Sequence, residues 1–146
     1  MASFPTALFL REAEVRRGVE LMLTAQAELA RAAAPILARS GLGRAHQRAL
    51  YFIGRHPDLT VGALIGHLRV TKQSLHRVLT DLIDGGLVEA RVGRDDRRQR
   101  LLRLTERGRS LEAELFDAMR ARMAAAYAHA GQQAVGGFWS VLESLS

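Results

Sequence analysis

The chain has 146 residues, with 21 basic against 15 acidic side chains for a net charge of +6, and no cysteine. That length suits one domain with a real core rather than several, and the missing cysteines exclude disulfides, thiolate metal sites and thiol redox sensing. The basic balance favours a polyanionic partner, nucleic acid or an acidic membrane surface, without choosing between them. Every basic residue except Lys72 is arginine, a preference put down mainly to GC-rich coding.

The N-terminal stretch MASFPTALFLREAEVRR holds only a short apolar run, residues 7–10, before charges begin. That is too short for a signal-peptide core or a membrane span, so the protein is expected in the cytoplasm. Over residues 8–39, Val15, Val19, Met22, Leu23 and Leu29 recur at helical steps, with Pro35 expected to kink or end the helix. SGLG (40–43) breaks the pattern, and a second helix is expected at Arg44–Arg55, stopped by HPD (56–58). Thr60 is a plausible N-cap for a short helix over 61–68. Gly62 and Gly66 each cost that helix roughly 0.8–1 kcal/mol relative to alanine, so packing must hold it.

After a tight turn at 68–70, Thr71 caps a stronger helix whose stripe is Leu75, Val78, Leu79, Leu82 and Ile83. Gly85 and Gly86 are expected to end it. The period then changes: LVEARV (87–92) and RLLRL (100–104) alternate like strands, and 93–99 joins them as a hairpin loop. Thr105 caps a long helix to about 129, with Leu111, Leu115, Ala118 and Met119 on one side. Gly131 breaks it, and a last helix carries Val135, Phe138, Trp139, Leu142 and Leu145. Met22, Met119 and Met123 lie on helical stripes and are read as core.

Two helices joined by a tight turn and followed by a hairpin make a winged helix-turn-helix, whose second helix fits the major groove while the wing reaches flanking backbone. Opposite the apolar stripe stand Lys72, Gln73, His76 and Arg77, with Thr71 and Ser74 at the N-terminal end. These types read base edges or grip phosphate, and the first acid, Asp81, lies beyond the second turn. An ordinary amphipathic helix also has a polar face, but usually with glutamates among its lysines.

The wing stretch RVGRDDRRQRLLRLTERG places Arg94, Arg97 and Arg98 in the loop and Arg91 and Arg100 at its base. Five cations there repel one another and lose side-chain entropy on binding. A carboxylate from Asp96, or from Asp95 beside it, can take an arginine fork and aim a guanidinium at the groove. The alternative is that both aspartates simply form the turn beside Gly93.

The segment TKQSLHRVLTDLIDGGLVEARVGRDDRRQRLLRLTERG (71–108) resembles the core of the MarR family of bacterial transcription regulators. The likeness rests on the recognition helix, the Gly-Leu-Val strand start, the Asp-Arg-Arg wing and the Leu-Thr-x-x-Gly helix start. GLGRAHQRAL (41–50) and Leu59-Thr60 extend it over nearly the whole chain, and the first of these together with FLREAEVRRGVELM resembles the PetP-like branch. The resemblance implies a wing pair of Asp96 with Arg98, base or phosphate contacts from the first half of the 71–79 helix, and a homodimer clasped by the first and last two helices. Two departures stand out: Gly93-Arg94-Asp95 replaces the commoner Asp-Pro wing start, and Gly43 stands where a Thr cap is usual, loosening the second helix.

The fold expected is mainly α with a small β-hairpin wing, a winged helix-turn-helix (43–104) flanked by N-terminal (7–40) and C-terminal (105–146) dimerisation helices in one domain spanning 1–146. Apolar stripes on the flanking helices, which the winged unit covers only in part, independently favour a two-fold dimer. Its reading helices would then stand about 34–36 Å apart, on a palindromic double-stranded DNA operator with half-sites roughly 10 bp apart.

The expected function is a DNA-binding transcriptional regulator, most simply a repressor. As in the resembled family, a small aromatic or anionic effector would bind between the dimer helices and the winged domain, with His46 and Tyr51 as candidate lining residues. The five histidines form no i, i+4 pair, so no metal or cofactor is expected, and no nucleophile or phosphate-loop motif suggests an enzyme. A winged-helix module binding protein or RNA, without ligand response, is the alternative.

Overall fold

In the computed structural model, which describes residues 7–146, the element order is close to that expected. Residues 1–6, part of the stretch judged too short for a signal peptide, lie outside the described region. A single 3-10 turn at Leu8–Leu10 precedes α1 (Glu12–Arg39), so the regular helix starts later than its apolar pattern. Pro35 sits inside α1 and does not end it. Ala33 and Leu37, on either side, are buried, and that packing carries the helix past the hydrogen bond that proline cannot make.

The second helix, α2 (Arg44–Arg55), leads through the two-residue strand β1 (Leu59–Thr60) into α3 (Val61–Leu68). Thr60 Oγ1 accepts from the Ala63 N–H at 3.1 Å, as an N-cap should. Arg69 then takes a left-handed conformation (φ 52°) and turns the chain into α4 (Lys72–Asp84), where Thr71 Oγ1 accepts from the Ser74 N–H at 3.1 Å. Of the two glycines that follow, only Gly86 is left-handed (φ 71°); Gly85 remains in right-handed helical geometry.

Strands β2 (Val88–Val92) and β3 (Arg100–Leu104) form the wing, and α5 (Glu106–Ala130) and α6 (Gln132–Leu145) complete the fold. The hairpin is part of a three-stranded antiparallel sheet in the order β1-β3-β2, because Leu59 pairs with Leu102 and Thr60 with Leu101. Two residues of β1 are too few for an alternation signal, so the sequence pattern could not reveal this strand. Val88 opposite Leu104 and Ala90 opposite Leu102 line the inner face, while Glu89 opposite Arg103 lies on the outer face.

The core sits where the sheet, α2, α3 and α4 meet the start of α5. Leu50, Ile53, Leu64, Leu75, Leu82, Leu102 and Leu115 are almost completely buried, each contributing on the order of 1.5–3 kcal/mol. Ile83, expected on the buried stripe of α4, is instead exposed, as is Met22 on α1. α4 fills the core with Leu75, Leu79 and Leu82, whereas α1 reaches it only through Ala33 and Leu37 near its C-terminal end, leaving Val15, Val19 and Leu23 exposed as well. Among the described residues no helix is long and apolar enough to cross a membrane.

Candidate nucleic-acid interface

Leu75, Leu79 and Leu82 anchor α4 on the core, and that anchoring turns Lys72, Gln73, His76 and Arg77 outward. All four are exposed. Among the described residues none of their side chains has a hydrogen-bond or ion-pair partner, so their donors and acceptors are available to an external one. The cap itself is occupied: the Thr71 hydroxyl donates to Ser74 Oγ at 2.9 Å while accepting the Ser74 N–H. Thr71 and Ser74 thus fix the start of the helix. No acid lies in its first turn, so the positive end of the helix dipole faces outward unopposed.

At the wing tip the loop 93–99 is tied across itself. The Gly93 N–H donates to the Gln99 carbonyl at 2.9 Å and the Gln99 N–H to the Asp96 carbonyl at 3.1 Å. A Cβ at residue 93 would stand 2.7 Å from that same Asp96 carbonyl, so the close approach requires glycine there. Asp96 Oδ1 accepts both the Arg98 N–H at 3.0 Å and Arg98 Nε at 3.3 Å. One carboxylate oxygen therefore forms the turn and holds the guanidinium, through a single oxygen rather than the two-oxygen fork expected. Arg94, Arg97 and Arg100 are exposed and have no ion pair among the described residues.

Arg91, expected among the free cations at the wing base, pairs instead with Glu89 two residues away at 3.1 Å. The two share a face of β2, which the strand period dictates. Beside them Arg103 Nε and Nη2 donate to the two oxygens of Asp58 at 2.6 and 2.7 Å. This bidentate pair lowers the Asp58 pKa, chiefly by the hydrogen bond from Arg103, and raises that of Arg103 by the same bond. Acids thus neutralise Arg91 and Arg103 near the base of the wing, Asp96 holds Arg98 at its tip, and Arg94, Arg97 and Arg100 have no acidic partner among the described residues. Asp58, at a φ of 63°, and Arg103 are far apart in sequence, and no local pattern marks them as partners.

His46 has both ring nitrogens engaged. Nδ1 accepts the Gly43 N–H at 3.0 Å and Nε2 lies 2.8 Å from Asp81 Oδ2 on α4. The first bond requires an unprotonated Nδ1, so Nε2 carries the proton and donates to the aspartate. The helix start that Gly43 was expected to loosen is thereby held by the His46 ring, which also ties α2 to α4.

An open cavity of about 600 Å³ lies between α1, α2 and α5. Leu29, Tyr51, Phe52 and Met119 give it apolar walls, and Arg44 and Arg48 are its cations. Of the two candidate effector-lining residues, Tyr51 borders this cavity and His46 does not, its ring being committed to Gly43 and Asp81. Among the described residues no three His, Asp or Glu side chains converge on a point that could hold a metal ion.

A family model described as MarR family matches residues 40–99. Over 140 residues the chain is 54% identical to the HTH-type transcriptional regulator PetP of Rhodobacter capsulatus, covering 96% of this chain and 84% of that protein. Among solved structures, NadR in complex with 4-hydroxyphenylacetate superposes with a TM-score of 0.76 at 22% identity, covering 97% of each chain. A mutant MarR from E. coli complexed with operator DNA gives 0.70 at 20% identity, covering 96% of this chain and 99% of that one. These two likenesses concern the fold, whereas the relationship to PetP spans nearly the whole sequence. The chain is a transcriptional regulator belonging to the MarR family.

Proposed function

We propose that the protein binds a palindromic operator as a homodimer, represses transcription there, and releases the DNA when a small aromatic anion occupies the cleft between α1, α2 and α5. The observation that carries the DNA reading is the start of α4: a capped, acid-free helix end whose Lys72, Gln73, His76 and Arg77 have no partner within the described protein. Thr71 and Ser74 hold that end, Asp96 holds Arg98, and Arg94 and Arg97 meet the flanking phosphates. The similarity of the fold to a MarR seen with operator DNA supports the same placement. Residues 43–104 are assigned to reading DNA in the cytoplasm, and residues 7–40 and 105–146 to pairing.

Exposed apolar side chains support the dimer. Phe9 is 73% exposed, Leu23 63% and Leu145 64%, alongside Leu8, Val15, Val19, Trp139 and Val141. A self-complementary contact between two copies would bury these side chains, which lie on the first and last helical segments of the chain. The cleft combines aromatic walls with two arginines, the chemistry that suits an aromatic carboxylate. NadR, of the same fold, is seen with such a compound.

Selection of bound sequences from random duplexes tests the reading. The expected product is a palindrome with half-sites roughly 10 bp apart, bound by two copies. Six to ten phosphate contacts predict that affinity falls by about 10³–10⁵ between 50 and 200 mM salt. Failure to enrich any duplex, with preferential binding of single-stranded or structured RNA, would favour the interaction-module alternative. Saturable turnover of a small molecule would contradict the assignment as a regulator without catalytic activity.

A further inference from the structure

Arg48 lies on α2 with a foot in each of two regions. It lines the cleft, and its Nη2 donates to the carbonyl of Leu68 at 2.9 Å. Leu68 is the last residue of α3, so its carbonyl has no partner within the helix and sits at the negative end of the helix dipole. The next residue, Arg69, makes the left-handed turn that delivers Thr71 to the start of α4. Arg48 also lines a small cavity with Val70, Ser74 and Val78, directly behind the reading helix. One helical turn along, Phe52, another wall of the cleft, stacks on His67 with ring centroids 5.0 Å apart and planes 16° from parallel. The face of α2 that lines the cleft therefore grips the last turn of α3 at two successive points.

We infer that Arg48 is the residue through which an occupant of the cleft is felt by the reading helix. The inference rests on the cleft being the effector site. A carboxylate adds a full opposite charge and a two-oxygen fork that a neutral carbonyl lacks, so an anion in the cleft draws the guanidinium away from Leu68. The turn between α3 and α4 then loses its staple, and the polar face that starts at Thr71 loses its fixed placement. The anion shifts the protein only as far as it prefers this released arrangement. Arg48 is thus a positioning residue, acting on DNA through the turn and not by touching phosphate.

The test compares wild type with Arg48→Met, using the duplex selected by the wild-type protein and benzoate as the probe, with benzamide as its uncharged counterpart. Benzoate is expected to weaken DNA binding by wild type about tenfold and to speed amide hydrogen exchange at residues 69–71, whereas benzamide does neither. Without any probe, Arg48→Met is expected to show the same weakening and the same faster exchange, with an unchanged salt dependence, and benzoate adds nothing further. Arg48→Lys, which keeps a donor for the Leu68 carbonyl, restores most of the affinity and serves as the comparison should the methionine variant fold poorly. Wild-type affinity and exchange in Arg48→Met would overturn the inference, as would benzoate acting equally on both proteins. If calorimetry detects no benzoate binding to wild type, the effector reading fails for aromatic carboxylates. The probe-free comparison still decides whether Arg48 staples the turn.

Discussion

Gly108, in the first turn of α5, faces the start of the wing so closely that a Cβ there would lie 2.0 Å from the Leu87 carbonyl oxygen and 3.0 Å from its carbon. Both are backbone atoms, so Gly108→Ala must push the helix and strand apart. Thr105 bridges that junction, its N–H donating to the Leu87 carbonyl at 3.0 Å and its hydroxyl to the Gly86 carbonyl at 2.6 Å. Losing these two bonds costs about 1 kcal/mol each, and overpacking adds about 1–3 kcal/mol. The better helix propensity of alanine returns about 1 kcal/mol, for a net destabilisation of about 2–4 kcal/mol. For a domain of this size that lowers the Tm by about 5–15 °C. Urea unfolding of both proteins at one concentration measures it, so that any self-association acts equally on both. Gly66→Ala is the control: nothing lies within 4 Å of a Cβ there, and a gain of about 0.5–1 kcal/mol is expected from propensity alone. If Gly108→Ala unfolds within about 0.5 kcal/mol of wild type, the junction is not the constraint argued here.

Asp96→Ala is expected to weaken operator binding about three- to tenfold despite removing a negative charge, because ordering a free arginine costs on the order of 1–2 kcal/mol of side-chain entropy. Asp96→Asn, which keeps an acceptor for the Arg98 N–H, separates turn formation from orientation of the guanidinium; tighter or unchanged binding by the alanine variant removes the orienting role. Val19→Asp, in the exposed stripe of α1, is expected to give monomers by sedimentation and at least about a hundredfold loss of operator affinity, as one half-site must then bind alone. Burial raises the Glu112 pKa, with Arg55 opposing and Asp117 reinforcing the shift. A carboxyl whose pKa is raised on folding contributes stability that is complete below its unfolded value and fades as pH rises through the folded one. Glu112→Gln is therefore expected to raise stability at pH 7 and leave it unchanged at pH 4 by thermal melting; equal gains at both pH values would contradict that sign.

Wherever a cap or a long period marked an element, the sequence carried the architecture. Thr60, Thr71 and Thr105 cap α3, α4 and α5 through their own hydroxyls, and a hydroxyl three residues before a free N–H is a purely local arrangement. The polar face of α4 was legible for the same reason, since burial of Leu75, Leu79 and Leu82 fixes by helical period which side chains point away. Features that need two distant segments were not legible. The strand β1 exists only because Leu59 and Thr60 meet β3. The pairs Asp58 with Arg103 and His46 with Asp81 join residues whose proximity follows from packing.

The sequence by itself determined the order of the helices and of the two wing strands, the polar face of α4 and the cationic wing, because each follows from periods and caps a few residues long. Tertiary structure alone decided which arginines are taken up by distant acceptors. Arg103 is neutralised by Asp58, and Arg48 is turned toward the Leu68 carbonyl. A guanidinium takes whichever acceptor the fold brings within about 3 Å, and that is a property of the packed chain rather than of its local pattern.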